Sequence, residues 1–194
     1  DPYTSIVAVS TAVGRERPDV SLHAAADGTV TLMFSDIEGS TALNERLGDV
    51  RWMEVLRAHN DLLDREVAAH GGRTVKTIGD GYMVAFPSPG AGVRCALAIQ
   101  AALTPGPSPA AADEGRRDAT LLDGIRVRIG LHTGSAVRQG EDFFGREVNY
   151  AARVASAALG GEVLVSEVVR ERLGTAFAWD GVREVTLKGF EGTH

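Results

Sequence analysis

Between "TVKTI" and "YMVAF", residues 74–78 and 82–86, stand only the three residues "GDG". Two short apolar runs so close together must be joined by a tight reversal, and the flanking glycines permit the backbone that such a turn demands. The chain therefore contains an antiparallel hairpin with a carboxylate, Asp80, at its tip. Any fold assigned to it must contain antiparallel sheet.

A second strand is legible upstream. In "TVTLMFS", Val30, Leu32 and Phe34 alternate with Thr31, Met33 and Ser35, and Asp36 closes the run. After the turn "EGST", Leu43 and Leu47 begin a helix. Asp49 is placed to cap a second one, which carries Trp52, Val55, Leu56, Leu62, Leu63 and Val67 before "HGG" stops it. "AGVRCALAIQAAL" reads as helix, "IRVRIGLHTG" as strand, "GREVNYAARVASAALGG" as a helix closed by glycines, "EVLVS" as strand, "EVVRERLG" as helix and "REVTLKG" as a last strand. This order predicts an α+β fold, ferredoxin-like or palm-like: a largely antiparallel sheet with helices packed on one face. Residues 1–28 show no sustained periodicity and read as an N-terminal extension to a domain spanning 29–194. Residues 104–120, with three prolines and no apolar stripe, read as a surface loop within that domain.

At 194 residues, 44% of them apolar, the chain has material for a core that needs no staples, and its single cysteine, Cys95, excludes an internal disulfide. That cysteine usage predicts a reducing, cytoplasmic setting. No apolar run approaches the roughly 20 residues that span a bilayer, so no membrane contact is expected. A net charge of −6 with scattered Lys and Arg excludes electrostatic binding of nucleic acid.

Asp36 at a strand end and Asp80 at a hairpin tip can lie side by side if their strands are neighbours. Two such carboxylates suit Mg²⁺ or Mn²⁺, which take oxygen ligands and commonly share them with phosphates. Gly39, Ser40 and Thr41 lead into a helix whose N-terminal N–H groups can cradle phosphate. Taken singly, each aspartate has a plainer reading, Asp36 as a helix cap and Asp80 as a turn residue.

Taken together, "FSDIEGST", "VKTIGDGYMVAF", "DFFGREVNYAAR" and "LKG" resemble the class III nucleotidyl cyclases, the adenylate and guanylate cyclase catalytic domain, over residues 29–190 and in family order. The resemblance implies two divalent cations per site, held by Asp36, Asp80 and the Ile37 carbonyl. It implies purine recognition by Lys76 and Asp142, transition-state roles for Asn149 and Arg153, and triphosphate contacts from Lys188 and Arg138. It also implies ATP as substrate, cyclic AMP and pyrophosphate as products, and a head-to-tail homodimer with two sites at its interface. Asn149 and Arg153, four apart, share a helix face, while Val148, Ala152 and Ala155 are expected to face the core. His132 in "GLHTG" reads as structural.

The segment between Gly134 and Asp142 is shorter than the arm of many members and is similar to the short-armed, mycobacterial-type bacterial adenylate cyclases. Tyr150 is bulkier than the family residue expected there, which predicts a change at the interface or purine pocket. The alternatives are a guanylate or dual-specificity cyclase, and a nucleotide-binding dimerisation module without chemistry. A diguanylate cyclase lacks support, because its glycine-glycine-acidic hairpin is absent.

Overall fold

A computed structural model of the chain describes residues 28–104, 120–140 and 142–194. Apart from their edge residues, the expected extension (1–28) and surface loop (104–120) lie outside the described residues. In chain order the elements are β1 (Thr29–Ile37), α1 (Ser40–Leu47), α2 (Asp49–Ala69), β2 (Arg73–Ile78), β3 (Gly81–Phe86), α3 (Pro89–Leu103), β4 (Val127–Ser135), β5 (Val137–Gln139), β6 (Asp142–Phe144), α4 (Arg146–Ala157), β7 (Val163–Val165) and α5 (Glu167–Leu173).

The central sheet has the order β2-β3-β1-β4-β7, antiparallel throughout except that β7 runs parallel to β4. The "GDG" hairpin forms as its sequence predicts: Ile78 pairs Gly81, leaving Gly79 and Asp80 as the turn. β1 is the spine, flanked by β3 and β4 along most of its length, so that Asp36 faces Arg128 across the ladder.

Strand alternation sends side chains to two different layers. Met33, Ile37, Val84, Phe86, Ile129 and Leu131 enter the larger core with residues of α2, α3 and α5. Val30, Leu32, Met83 and Ala85 point the other way, toward Ala151 of α4 and Phe143 of β6. The expectation of helices on one face thus holds for α1, α2, α3 and α5, and α4 departs from it. On the other face α4 lies close against the sheet at Gly130, where an added Cβ would lie 2.1 Å from the Ala155 nitrogen. Only a residue without a side chain lets the α4 backbone approach β4 so closely.

Ala151, Val154 and Ala155 are the buried residues of α4, and Val148 packs against the same cluster, so the expected Val148 and Ala155 do face the core, while Ala151 takes the place expected for Ala152. Asp49 begins α2 without capping it; the N-cap is Gly48, and the carboxylate acts at most through its charge near the helix start. The expected last strand does not form within the sheet. Val185 and Leu187 do turn inward, but Val185 exchanges its backbone hydrogen bonds with His194, at 2.9 and 3.0 Å, instead of with a sheet edge. The β5–β6 pair, three residues per strand, is a small hairpin that the periodicity does not reveal.

Cys95 is fully buried, and burial pushes its thiol up to about 12, which makes it an inert packing group. Among the described residues no helix is long and apolar enough to cross a membrane.

Two histidines are buried as well. His59, at 0% exposure, lies edge-on to Tyr82 with its ring centroid 6.0 Å away, and its Nε2 has no partner among the described residues. Burial lowers its pKa and that of His132 below the ordinary 6.5, against raising contributions from Asn60, Asp80 and Asp64 at His59 and from Glu147 at His132. Both hold a proton less readily when folded than in the unfolded chain, which binds protons at them from pH 6.5 downward. Stability is accordingly full above that pH and falls as the pH drops from 6.5 toward the lowered folded values. Thermal melts between pH 8 and 5 read this directly, and His59→Met flattens the decline without reversing it, since His132 still contributes.

Candidate active site

The end of β1 and the β2–β3 turn meet as the antiparallel pairing requires. Asp80 Oδ2 accepts a hydrogen bond from the Ile37 N–H at 2.8 Å, which brings Asp36, Ile37 and Asp80 into one corner. The Ile37 side chain is 2% exposed and anchors that corner in the core. Asp36 is engaged by Arg128 of β4, whose Nε and Nη2 donate to its two oxygens at 2.8 and 2.6 Å. This fork-to-fork geometry is the strong form of an ion pair, and the Asp36 carboxylate raises the Arg128 pKa further. The donor set of two carboxylates and a main-chain carbonyl is all oxygen, and a cation already sits against one of those carboxylates. Such a corner fits a hard divalent ion.

Gly39, at φ 67, is the N-cap of α1, and Ser40 and Thr41 are its first residues. No side chain caps this end and no acidic residue occupies its first turn, so its positive end is left for another anion.

On the sheet face opposite the larger core, Lys76 Nζ donates to Asp142 Oδ2 at 2.6 Å and lies 5.8 Å from the centre of the Phe144 ring. The other oxygen of Asp142 accepts from the Phe143 N–H at 2.8 Å, which aims the carboxylate. The two side chains are 23% and 27% exposed, enough for a ligand to reach both. Residues 66 apart in sequence are therefore one unit.

Asn149 is exposed and Arg153 half-buried on α4, one turn apart on the side turned away from the core. Arg138 stands in β5 opposite Phe143. Lys188 is exposed in the segment that follows α5. The metal-type corner and the Lys76–Asp142 pair are thus brought together within themselves, while Asn149 with Arg153, and Lys188, occupy separate elements. His132 is buried between Ser166 Oγ at 2.8 Å and Glu147 Oε2 at 2.7 Å, a packing role. Tyr150 points at His132 and Phe190, not at the Lys76–Asp142 pair, so its bulk is spent on the C-terminal segment.

Sequence reasoning missed Arg128 and Glu38. Glu38 Oε1 accepts from the Gly160 N–H at 3.0 Å, and its other oxygen lies 3.6 Å from Arg126, which ties the Gly39 turn to the loop after α4. The alternation of "VRIGLHTG" does put Arg128 on the face of β4 opposite Ile129, but only the ladder shows that this places it beside Asp36.

A family model described as "Adenylate and Guanylate cyclase catalytic domain" matches residues 22–194. An adenylate cyclase of Mycosarcoma maydis is 34% identical over 180 residues, which is 85% of this chain and 7% of that protein. One of Lachancea kluyveri is 33% identical over 170 residues, 80% of this chain and 9% of that protein. The chain thus spans under a tenth of the length of these relatives. Among solved structures, the adenylate cyclases of Trypanosoma brucei in their monomeric state include one that superposes with a TM-score of 0.73 at 28% identity, covering 86% of this chain and 87% of that one. By the extent of the family match and the identity to these relatives, the chain belongs to the adenylate and guanylate cyclase catalytic domain family.

Proposed function

We propose that the chain is an adenylate cyclase, converting ATP to 3′,5′-cyclic AMP and pyrophosphate. The observation that carries this reading is the Lys76–Asp142 pair. Adenine presents an amine donor beside a ring-nitrogen acceptor, and guanine presents the opposite pattern on the same edge. A carboxylate and an ammonium held 2.6 Å apart on one open face match adenine, with Asp142 accepting from the amine and Lys76 donating to the ring nitrogen.

Around the purine the other residues take complementary tasks. Asn149 orients the ribose so that its 3′-oxygen faces the α-phosphorus in line with the bond to the leaving pyrophosphate. As the new O–P bond forms and the old one breaks, Arg153 meets the charge that grows on the α-phosphate oxygens; a donor so placed contributes a factor of about 10²–10³. Gly39, Ser40 and Thr41, with Lys188 and Arg138, hold the β- and γ-phosphates. Asp36, Asp80 and the Ile37 carbonyl are the residues that would hold two Mg²⁺ or Mn²⁺ ions. Bound there, such ions would lower the pKa of the 3′-hydroxyl and neutralise the departing pyrophosphate. Arg128 holds the Asp36 carboxylate in place through both of its oxygens, and a metal ion bound at this corner would compete with it for the same atoms.

The site is completed by a second copy of the chain, head to tail. Each of two sites takes Asp36 and Asp80 from one protomer and Lys76, Asp142, Asn149 and Arg153 from the other. The support is the partly open face that carries Lys76 and Asp142, where Phe144 is 40% and Val137 67% exposed.

Chromatography of products formed from ATP and from GTP, each with Mg²⁺ and with Mn²⁺, tests the reading. Cyclic AMP from ATP with little product from GTP is expected. Cyclic GTP-derived product as the main outcome would reverse the purine assignment, and no cyclic product despite nucleotide binding would leave a binding module.

A further inference from the structure

Lys188 stands at the corner of a β-turn. The Phe190 N–H donates to the Leu187 carbonyl at 3.0 Å, and Gly189 at φ 89 supplies the left-handed third position that a turn of this kind requires. Leu187 is buried at 3% exposure, so one leg of the turn is rooted in the protein. The other leg is held by rings: Phe190 meets Tyr150 edge-on at 5.0 Å, and the Arg146 guanidinium lies 5.3 Å from the same ring. His194 makes a second edge-on contact with Tyr150 at 5.3 Å.

Behind Tyr150 stands His132, its ring 4.6 Å away and itself held between Ser166 and Glu147. Tyr150 is therefore clasped between an immobile residue of the sheet and the turn that displays Lys188. Further along, Arg183 donates to the Ala157 carbonyl at 2.8 Å and to Glu162 at 3.0 Å, fastening the same segment to the end of α4. The segment is laid along the helix that carries Asn149 and Arg153, and Phe190, two residues after Lys188, meets the residue directly after Asn149.

We propose that Tyr150 is a positioning residue for triphosphate recognition: by seating Phe190 it fixes the Lys188 turn against α4, so that the phosphate-facing lysine and the ribose-facing asparagine are held as one rigid unit. This rests on the reading of Lys188 as a triphosphate contact. It explains why this chain carries a large ring beside Asn149 and why that ring points away from the purine pair.

The test uses the full chain and two readouts. The first is steady-state kinetics with ATP; the second is the rate of tryptic cleavage after Lys188, followed by mass spectrometry without nucleotide. Tyr150→Leu is expected to raise KM for ATP about tenfold, the size of one lost charge-assisted contact to phosphate, with kcat within about twofold. Cleavage after Lys188 accelerates in the same variant. Tyr150→Phe, which keeps the ring, restores both. Adding Lys188→Ala to Tyr150→Leu raises KM no further, since both changes remove the same contact.

Unchanged KM and cleavage in Tyr150→Leu overturn the proposal, as does a KM effect that adds in full to that of Lys188→Ala. If Lys188→Ala alone leaves KM unaltered, the phosphate role of Lys188 is what fails; Tyr150→Leu then speeds cleavage without moving KM. Should Tyr150→Leu not fold, Phe190→Leu breaks the same contact from the other side and is held to the same outcomes.

Discussion

Chains carrying Asp36→Ala are expected to form no detectable cyclic nucleotide and chains carrying Asn149→Ala to lose a factor of about 10²–10³, while an equimolar mixture of the two regains activity. In a head-to-tail dimer each heterodimer has one site with both lesions and one site with neither. Random pairing makes half of the dimers mixed, and half of their sites are intact, so the mixture recovers about a quarter of the wild-type rate. Asp36→Asn is the companion variant, because alanine also strips Arg128 of the two bonds it donates at 2.8 and 2.6 Å. Asparagine keeps the shape and one acceptor while removing the charge that holds a cation. Heterodimers shown by co-purification of two tags, with no recovered activity, would rule out a site shared between protomers.

The parts of this fold that were legible in the sequence are those set by neighbours along the chain. "TIGDGYM" is a hairpin because nothing else fits between two strands, and "TVTLMFSD" is a strand because alternation is visible over its length. What could not be read is set by residues far apart. Arg128 meets Asp36 across 92 positions, and no period within either strand encodes the register that joins them. The same holds for α4. Its amphipathic pattern shows that one side is buried, but how closely it can approach β4 depends on Gly130, far away in sequence. The "REVTLKG" run has the inward alternation of a strand at Val185 and Leu187, and its partner turns out to be His194 of the same segment. Periodicity reports which side of a backbone is dry, not what it is bonded to.

The Lys76–Asp142 pair shows the two kinds of information meeting. Local motifs single out Lys76 and Asp142, and the fold adds that they touch, at 2.6 Å, on a half-exposed face. That contact sets the second large effect. Lys76→Glu with Asp142→Gly exchanges the donor on β2 for an acceptor and removes the carboxylate that would face guanine's carbonyl. The ratio of kcat/KM for ATP over GTP then falls by up to about 10⁴, the scale on which an unpaired polar group rejects the wrong partner. Each single variant is expected to do worse with both nucleotides. Lys76→Glu alone sets two carboxylates against each other where an ion pair stood, and Asp142→Gly alone leaves the ammonium of Lys76 without its partner. Under the proposed reading selectivity belongs to the pair and not to either residue, and a non-additive cycle of the two changes, measured on both substrates, is the expected signature. An ATP preference unaltered in the double variant would mean that the purine is read elsewhere on the protein.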